Sequence, residues 1–173
     1  MAGQAKKPPP EAPQQLVMPA SVRAGQVLSL VEITGGLGMP IDVSKLATEF
    51  GGDIQTILPI LDTAEVLGLV TTSRGDVSLT KFGEEFRKTP NQRIRLLAKQ
   101  LLMIEPFKTA VMLADRRGGA KSEDIAAELY DMGVRWHHDP EVNQGLVKEI
   151  LISWAITSGI LSYNGKSGKF QRT

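Results

Sequence analysis

Cysteine is absent from the chain, which removes disulfides, thiolate nucleophiles and Cys-based zinc or iron–sulfur sites. Histidine is nearly as scarce: His137 and His138 are adjacent, and together with Asp139 they can hold a metal only if further ligands converge. With no third histidine, the expectation is a hydrated loop, no metal and no cofactor. Neither sign of charge is in excess, since 20 Lys and Arg stand against 19 Asp and Glu. Global basicity therefore provides no argument for nucleic acid, although a net charge of +1 excludes neither DNA nor protein as partner. No apolar run approaches the ~18 residues of a membrane span, and no signal-like apolar core opens the chain. The expectations are no direct membrane insertion and a cytoplasmic location. Aromatic residues are few, and Trp136 and Trp154 lie among apolar neighbours, so they read as packing residues.

What the chain does have is a pattern that occurs twice. An apolar helical run from Ile54 to Leu67 ends at Gly68, followed by a strand from Leu69 to Thr72, a turn from Ser73 to Asp76 and a strand from Val77 to Thr80. The second copy runs from Val142 to Ser158, ends at Gly159, and continues as Ile160 to Tyr163, a turn from Gly165 to Gly168, and Lys169 to Arg172. A helix closed by a left-handed glycine and followed by a hairpin is the back half of a winged helix. The predicted fold is therefore mainly α with small β-hairpins (α+β), arranged as tandem winged-helix domains. Residues 1–15 carry four prolines and read as a disordered tail. Residues 16–90 form the first predicted domain and 91–173 the second.

Capping residues and periodicity place the other helices. Apolar positions from Val22 to Ile33 predict a first helix that fails at Gly35, Gly36 and Gly38. Asp42 caps Val43 to Phe50, and Asp53 caps the run to Leu67, where Pro59 predicts a kink or a shortened first turn. Thr80 caps Lys81 to Lys88. Asn91 reads as the cap of a helix carrying Ile94, Leu97, Ala98, Leu101, Leu102 and Ile104 as an apolar stripe. Pro106 opens Phe107 to Arg117, Ser122 caps Glu123 to Met132, and Asp139 with Pro140 opens a helix over 140–158 whose core stripe includes Val142, Leu146 and Trp154.

A winged helix that reads DNA needs Arg, Lys, Asn or Gln on its second tri-helical element. Between Asp53 and Leu67 the charges are Asp53, Asp62 and Glu65, with no cation. The equivalent helix of the second copy sets Asn143, Gln144 and Lys148 against Glu141 and Glu149. The turns supply Arg74, Lys166 and Lys169, together with Arg172, which can touch phosphate but carry little sequence reading. Between the copies, Arg87, Lys88, Arg93, Arg95 and Lys99 form a stretch without an acid. It is either a solvated face or a surface for an anionic partner.

Two stretches approach the phosphate-binding loop and miss it. Gly159 to Ser167 has five residues between its glycines where four are required, and in Gly118 to Ser122 Ala120 stands at the last glycine position. The chain is accordingly expected to carry no ATPase machinery and no enzyme activity.

The runs DIQTILPILDTAEVLG (Asp53 to Gly68), VSLTKFG (Val77 to Gly83) and LAKQLL (Leu97 to Leu102), with Pro106 and ISW (Ile152 to Trp154), resemble the C-terminal AAA-associated domain. That family sits behind the ATPase of nitrate/sulfonate/taurine-class ABC importers. The resemblance covers about Ile41 to Phe170 and departs after Trp154, where Ala155, Ile156 and Thr157 replace the family's Gly-Arg-Tyr. It implies a non-enzymatic regulatory or protein-contact module, here without its usual ATPase, acting on an ABC-transporter ATPase subunit in trans. The rival reading is a winged-helix DNA-binding transcriptional regulator using the wings and the basic stretch. A homodimer through exposed apolar faces is compatible with both.

Overall fold

Asp42, Asp53, Thr80 and Asp139 each begin a helix, because each side chain accepts a hydrogen bond from a backbone N–H that the helix cannot satisfy. The computed structural model describes residues 15–173. The predicted tail falls on residues outside that range, except Gln15, whose amide donates to Glu105 Oε1 at 3.3 Å.

The first half runs α1 (Ala24–Leu37), β1 (Ile41–Asp42), α2 (Val43–Phe50), α3 (Ile54–Val66), β2 (Val70–Ser73), β3 (Asp76–Leu79) and α4 (Lys81–Lys88). A 3₁₀ turn, Pro90–Gln92, leads to α5 (Arg93–Leu101). The second half repeats the order with α6 (Phe107–Arg117), β4 (Ala120–Lys121), α7 (Ser122–Asp131), α8 (Pro140–Ile150), a π-helical turn Leu151–Ile156, β5 (Leu161–Asn164) and β6 (Lys169–Arg172). The chain is thus mainly helical with two small antiparallel sheets, ordered β1-β3-β2 and β4-β6-β5. Both predicted hairpins form. The first turns through Arg74 and Gly75, both at positive φ as a two-residue hairpin turn requires. The second turns through Gly165 to Gly168, with Asn164 Oδ1 accepting from the Lys166 and Ser167 amides at 3.0 and 3.2 Å.

Several local expectations are corrected by packing. The first helix does not fail at Gly35 but continues through Gly36 to Leu37. A Cβ at Gly35 would meet the Arg87 side chain at 2.5 Å, so glycine there makes room for a neighbour and does not break the helix. α3 runs through Pro59 unbroken. Asn91 lies inside the 3₁₀ turn and caps nothing, and Ile94, predicted as core, is 63% exposed. α7 starts at Ser122 itself. Val142 faces solvent, because the buried line of α8 is Asn143, Val147 and Ile150, continued by Leu151 and Trp154.

The two halves share one hydrophobic core. Residues 16–22 cross to the second half before α1 begins. Met18 N donates to Glu105 O at 2.8 Å and Glu105 N to Leu16 O at 2.9 Å. Trp136 Nε1 donates to Met18 O at 2.7 Å, and Trp154 Nε1 to Val22 O at 2.9 Å. Each indole satisfies its single donor on this segment, so both tryptophans anchor it as well as pack. Glu32 on α1 pairs with Arg87 Nε at 3.3 Å, out of line for a hydrogen bond, and with Arg93.

Candidate functional site

The outward face of α3 is set by which residues its core side consumes. Ile57, Ile60, Leu61 and Ala64 are buried, which leaves Ile54, Leu58, Asp62 and Glu65 outside, with Ile54 and Leu58 more than 40% exposed. Glu65 is tied down, since its Oε1 accepts from Thr72 N at 2.7 Å and from the Thr72 hydroxyl. This face is apolar and acidic, with no cation to meet a phosphate. At its start the Asp53 carboxyl lies below the usual carboxylate range, first because Thr56 N–H and then because the Thr56 hydroxyl donate to it. A lowered folded value means that the cap is intact above the ordinary carboxylate pKa and is lost as pH falls through the lowered one. Titration followed by NMR is expected to place the Asp53 midpoint below the ordinary carboxylate value, with the amide of Thr56 losing protection in the same window.

The corresponding face of α8 and its π-helical extension carries Val142, Glu149, Ile152 and Ile156, all exposed. Of the polar residues counted as base readers, Asn143 and Lys148 are engaged within this half. Asn143 is buried, its Oδ1 accepting from Trp136 N at 2.8 Å and His137 N at 3.2 Å. Lys148 Nζ stands 5.3 Å from the centre of the Tyr163 ring, a cation–π contact within its own half.

The basic stretch is divided by the structure. Arg87 and Arg93 turn inward to Glu32, and Arg93 also donates to Phe86 O at 2.9 Å and Arg87 O at 2.7 Å. Lys88 pairs with Glu84 one turn back at 3.8 Å. Arg95 and Lys99 are exposed on α5 and make no ion pair among the described residues. Arg74 and Lys166 sit at the two hairpin turns, and Lys169 on β6 is half-buried against Gly119. No sequence signal separated the arginines that brace α1, α4 and α5 from Arg95 and Lys99, because their partner Glu32 lies far away in the chain.

The first phosphate-loop look-alike has no helix after it, and the second enters α7 through the strand β4 and not through a glycine loop. Gly165 and Lys166 belong to the β5–β6 turn, while Ala120 and Lys121 pair with Phe170 and Lys169. His137 and His138 stack with ring centres 4.3 Å apart, and His137 Nδ1 accepts from Asp139 N at 3.0 Å. Among the described residues no group of three or more His, Cys, Asp or Glu side chains could hold a metal ion, and no helix is long and apolar enough to cross a membrane.

Comparison with family models matches residues 44–164, well over half of the chain, to the C-terminal AAA-associated domain. The chain belongs to that family. No curated protein and no solved structure matches it. The AAA-associated region takes in both exposed helix faces and the basic stretch. α1 and β6 lie outside it, although both complete the packing of elements that lie within.

Proposed function

We propose that the chain is a non-enzymatic tandem winged-helix module that docks on an ABC-transporter ATPase in trans and regulates it. The winged-helix reading is supported by the order helix, short strand, two helices, hairpin, which occurs twice with the same sheet arrangement. Membership of an AAA-associated family supports an ATPase as the partner. The observation that carries the docking reading is the composition of the outer faces of α3 and α8. Where a DNA reader would present cations and amides, these faces present Ile54, Leu58, Ile152 and Ile156 beside Asp62 and Glu149. Such faces suit a protein partner and repel phosphate.

The test is recovery of partners from native lysate, with and without nuclease, by the wild type and by a Leu58→Asp, Ile152→Asp variant. An ABC ATPase subunit is expected regardless of nuclease. The variant is expected to recover it about tenfold less, as for loss of a central apolar contact. Recovery that collapses with nuclease, and a sequence-dependent DNA shift that survives salt, would transfer the assignment to the DNA-binding regulator.

A further inference from the structure

Between α7 and α8 lies a cleft of about 280 Å³. One wall is a single helical face, with Glu123, Ala126, Ala127 and Tyr130 at i, i+3, i+4 and i+7. The other is the start of α8, from which Asn143 lines the cleft while being 97% buried, at 3% relative exposure.

The Asn143 amide has a defined orientation. Its oxygen accepts from two backbone N–H donors, those of Trp136 and His137, so the accepting atom cannot be the nitrogen. The NH₂ group therefore faces away from that loop, and it makes no hydrogen bond among the described residues. Arg87 Nε is the enclosed side-chain atom without a partner among the described residues, so the Asn143 nitrogen opens onto the cleft and is free to donate to an acceptor on whatever enters.

The rest of the cleft specifies what carries that acceptor. Glu123 forms no ion pair among the described residues, its one contact being the Ser122 hydroxyl at 3.5 Å. Ala126 and Ala127 are small and apolar, leaving room for a methylene stem. At the opposite end Asp131 also lines the cleft without an ion pair among the described residues, and the Arg135 guanidinium stands 5.7 Å over the neighbouring Tyr130 ring. The Arg135 cation stands at that end, which leaves the Glu123 end the more anionic of the two.

We propose that this cleft binds a basic side chain of a partner polypeptide. Its ammonium or guanidinium rests on Glu123, its stem lies over Ala126 and Ala127, and its main-chain carbonyl accepts from the Asn143 amide. The cleft is separate from the outward apolar faces of α3 and α8, so the inference does not rest on the ATPase reading and either can fail alone.

The probe is an end-blocked tripeptide with arginine between two alanines, titrated into the full isotope-labelled chain and followed by amide shifts. The Trp136 and His137 amides report directly, because they share the Asn143 oxygen. Saturable shifts are expected there and along the Glu123 face of α7. Glu123→Gln is expected to weaken binding roughly three- to fivefold, the size of an exposed ion pair. Ala127→Leu, at an exposed position, is expected to fill the cleft and abolish binding while leaving thermal unfolding unchanged. The assignment is overturned by absence of saturable shifts at millimolar peptide, by equal binding of the glutamate counterpart, or by undiminished binding in Ala127→Leu. Free arginine binding as tightly as the blocked peptide would overturn the polypeptide as occupant.

Discussion

Trp154→Ala is expected to cost about 3–5 kcal/mol of unfolding free energy, the range for removing a fully buried aromatic side chain. Trp154 is 1% exposed and closes an apolar crevice against Ala24, Val27, Leu67, Phe86 and Leu97. Its environment comes from α1, α4, α5 and the residue that closes α3, while it belongs to the turn that follows α8. The truncation removes the indole volume and leaves the Val22 carbonyl without its 2.9 Å donor. Trp154→Phe separates the two contributions. It keeps most of the volume and should cost about 1–3 kcal/mol, mainly for the orphaned acceptor. Urea unfolding measured by circular dichroism and by the remaining tryptophan checks both. Because the contact joins the two halves, the Ala variant is also expected to lose the coincidence of the two probes. A cost below about 1 kcal/mol for Trp154→Ala would show that this joint contributes little to the core.

Gly83→Ala is expected to be nearly as damaging, at about 3 kcal/mol or more, although alanine is the better helix former. A Cβ at Gly83 would stand 1.9 Å from the Leu69 carbonyl oxygen and 2.9 Å from its carbon. Both are backbone atoms and cannot swing aside as a side chain can. α4 lies this close to the strand entry because Thr80 caps it, accepting from Gly83 N at 2.9 Å, while Thr80 N donates to Leu69 O at 3.0 Å. Gly145→Ala is the control. It is also helical, nothing lies within 4 Å of its added Cβ, and the substitution should raise stability by up to about 1 kcal/mol. Thermal melts of the two variants should move in opposite directions. If Gly83→Ala melts with or above the wild type, α4 does not rest on Leu69 as described.

Gly83 illustrates how much of the fold is legible in the chain. Its place in the run from Val77 to Gly83 was visible as part of a family pattern, but the reason for glycine there is a carbonyl fourteen residues earlier. The caps at Asp42, Asp53, Thr80 and Asp139 were readable because a cap and the amides it serves are within three residues of each other. The hairpins were readable for the same reason, since their turn residues lie between the strands they join. The strands Ile41–Asp42 and Ala120–Lys121 were not, because two residues carry no periodicity and exist only through pairing with β3 and β6. Part of the candidate site was legible too. The acidic, cation-free character of α3 follows from composition alone, whereas the exposure of Ile54 and Leu58 depends on which face the core takes.

By itself, then, the sequence determined the helix starts at Asp42, Asp53, Thr80 and Asp139, the two hairpins, the duplication and the family, all of which rest on local chemistry or on a linear pattern. The tertiary structure alone decided that Gly35 and Gly36 are helical, that Arg87 and Arg93 brace the core on Glu32, that Asn143 is buried behind a cleft, and that two tryptophans hold residues 16–22 across the joint. Gly35, the two arginines and the two tryptophans each meet a partner distant in the chain, and the energy of such a contact appears only once packing has brought the two groups together.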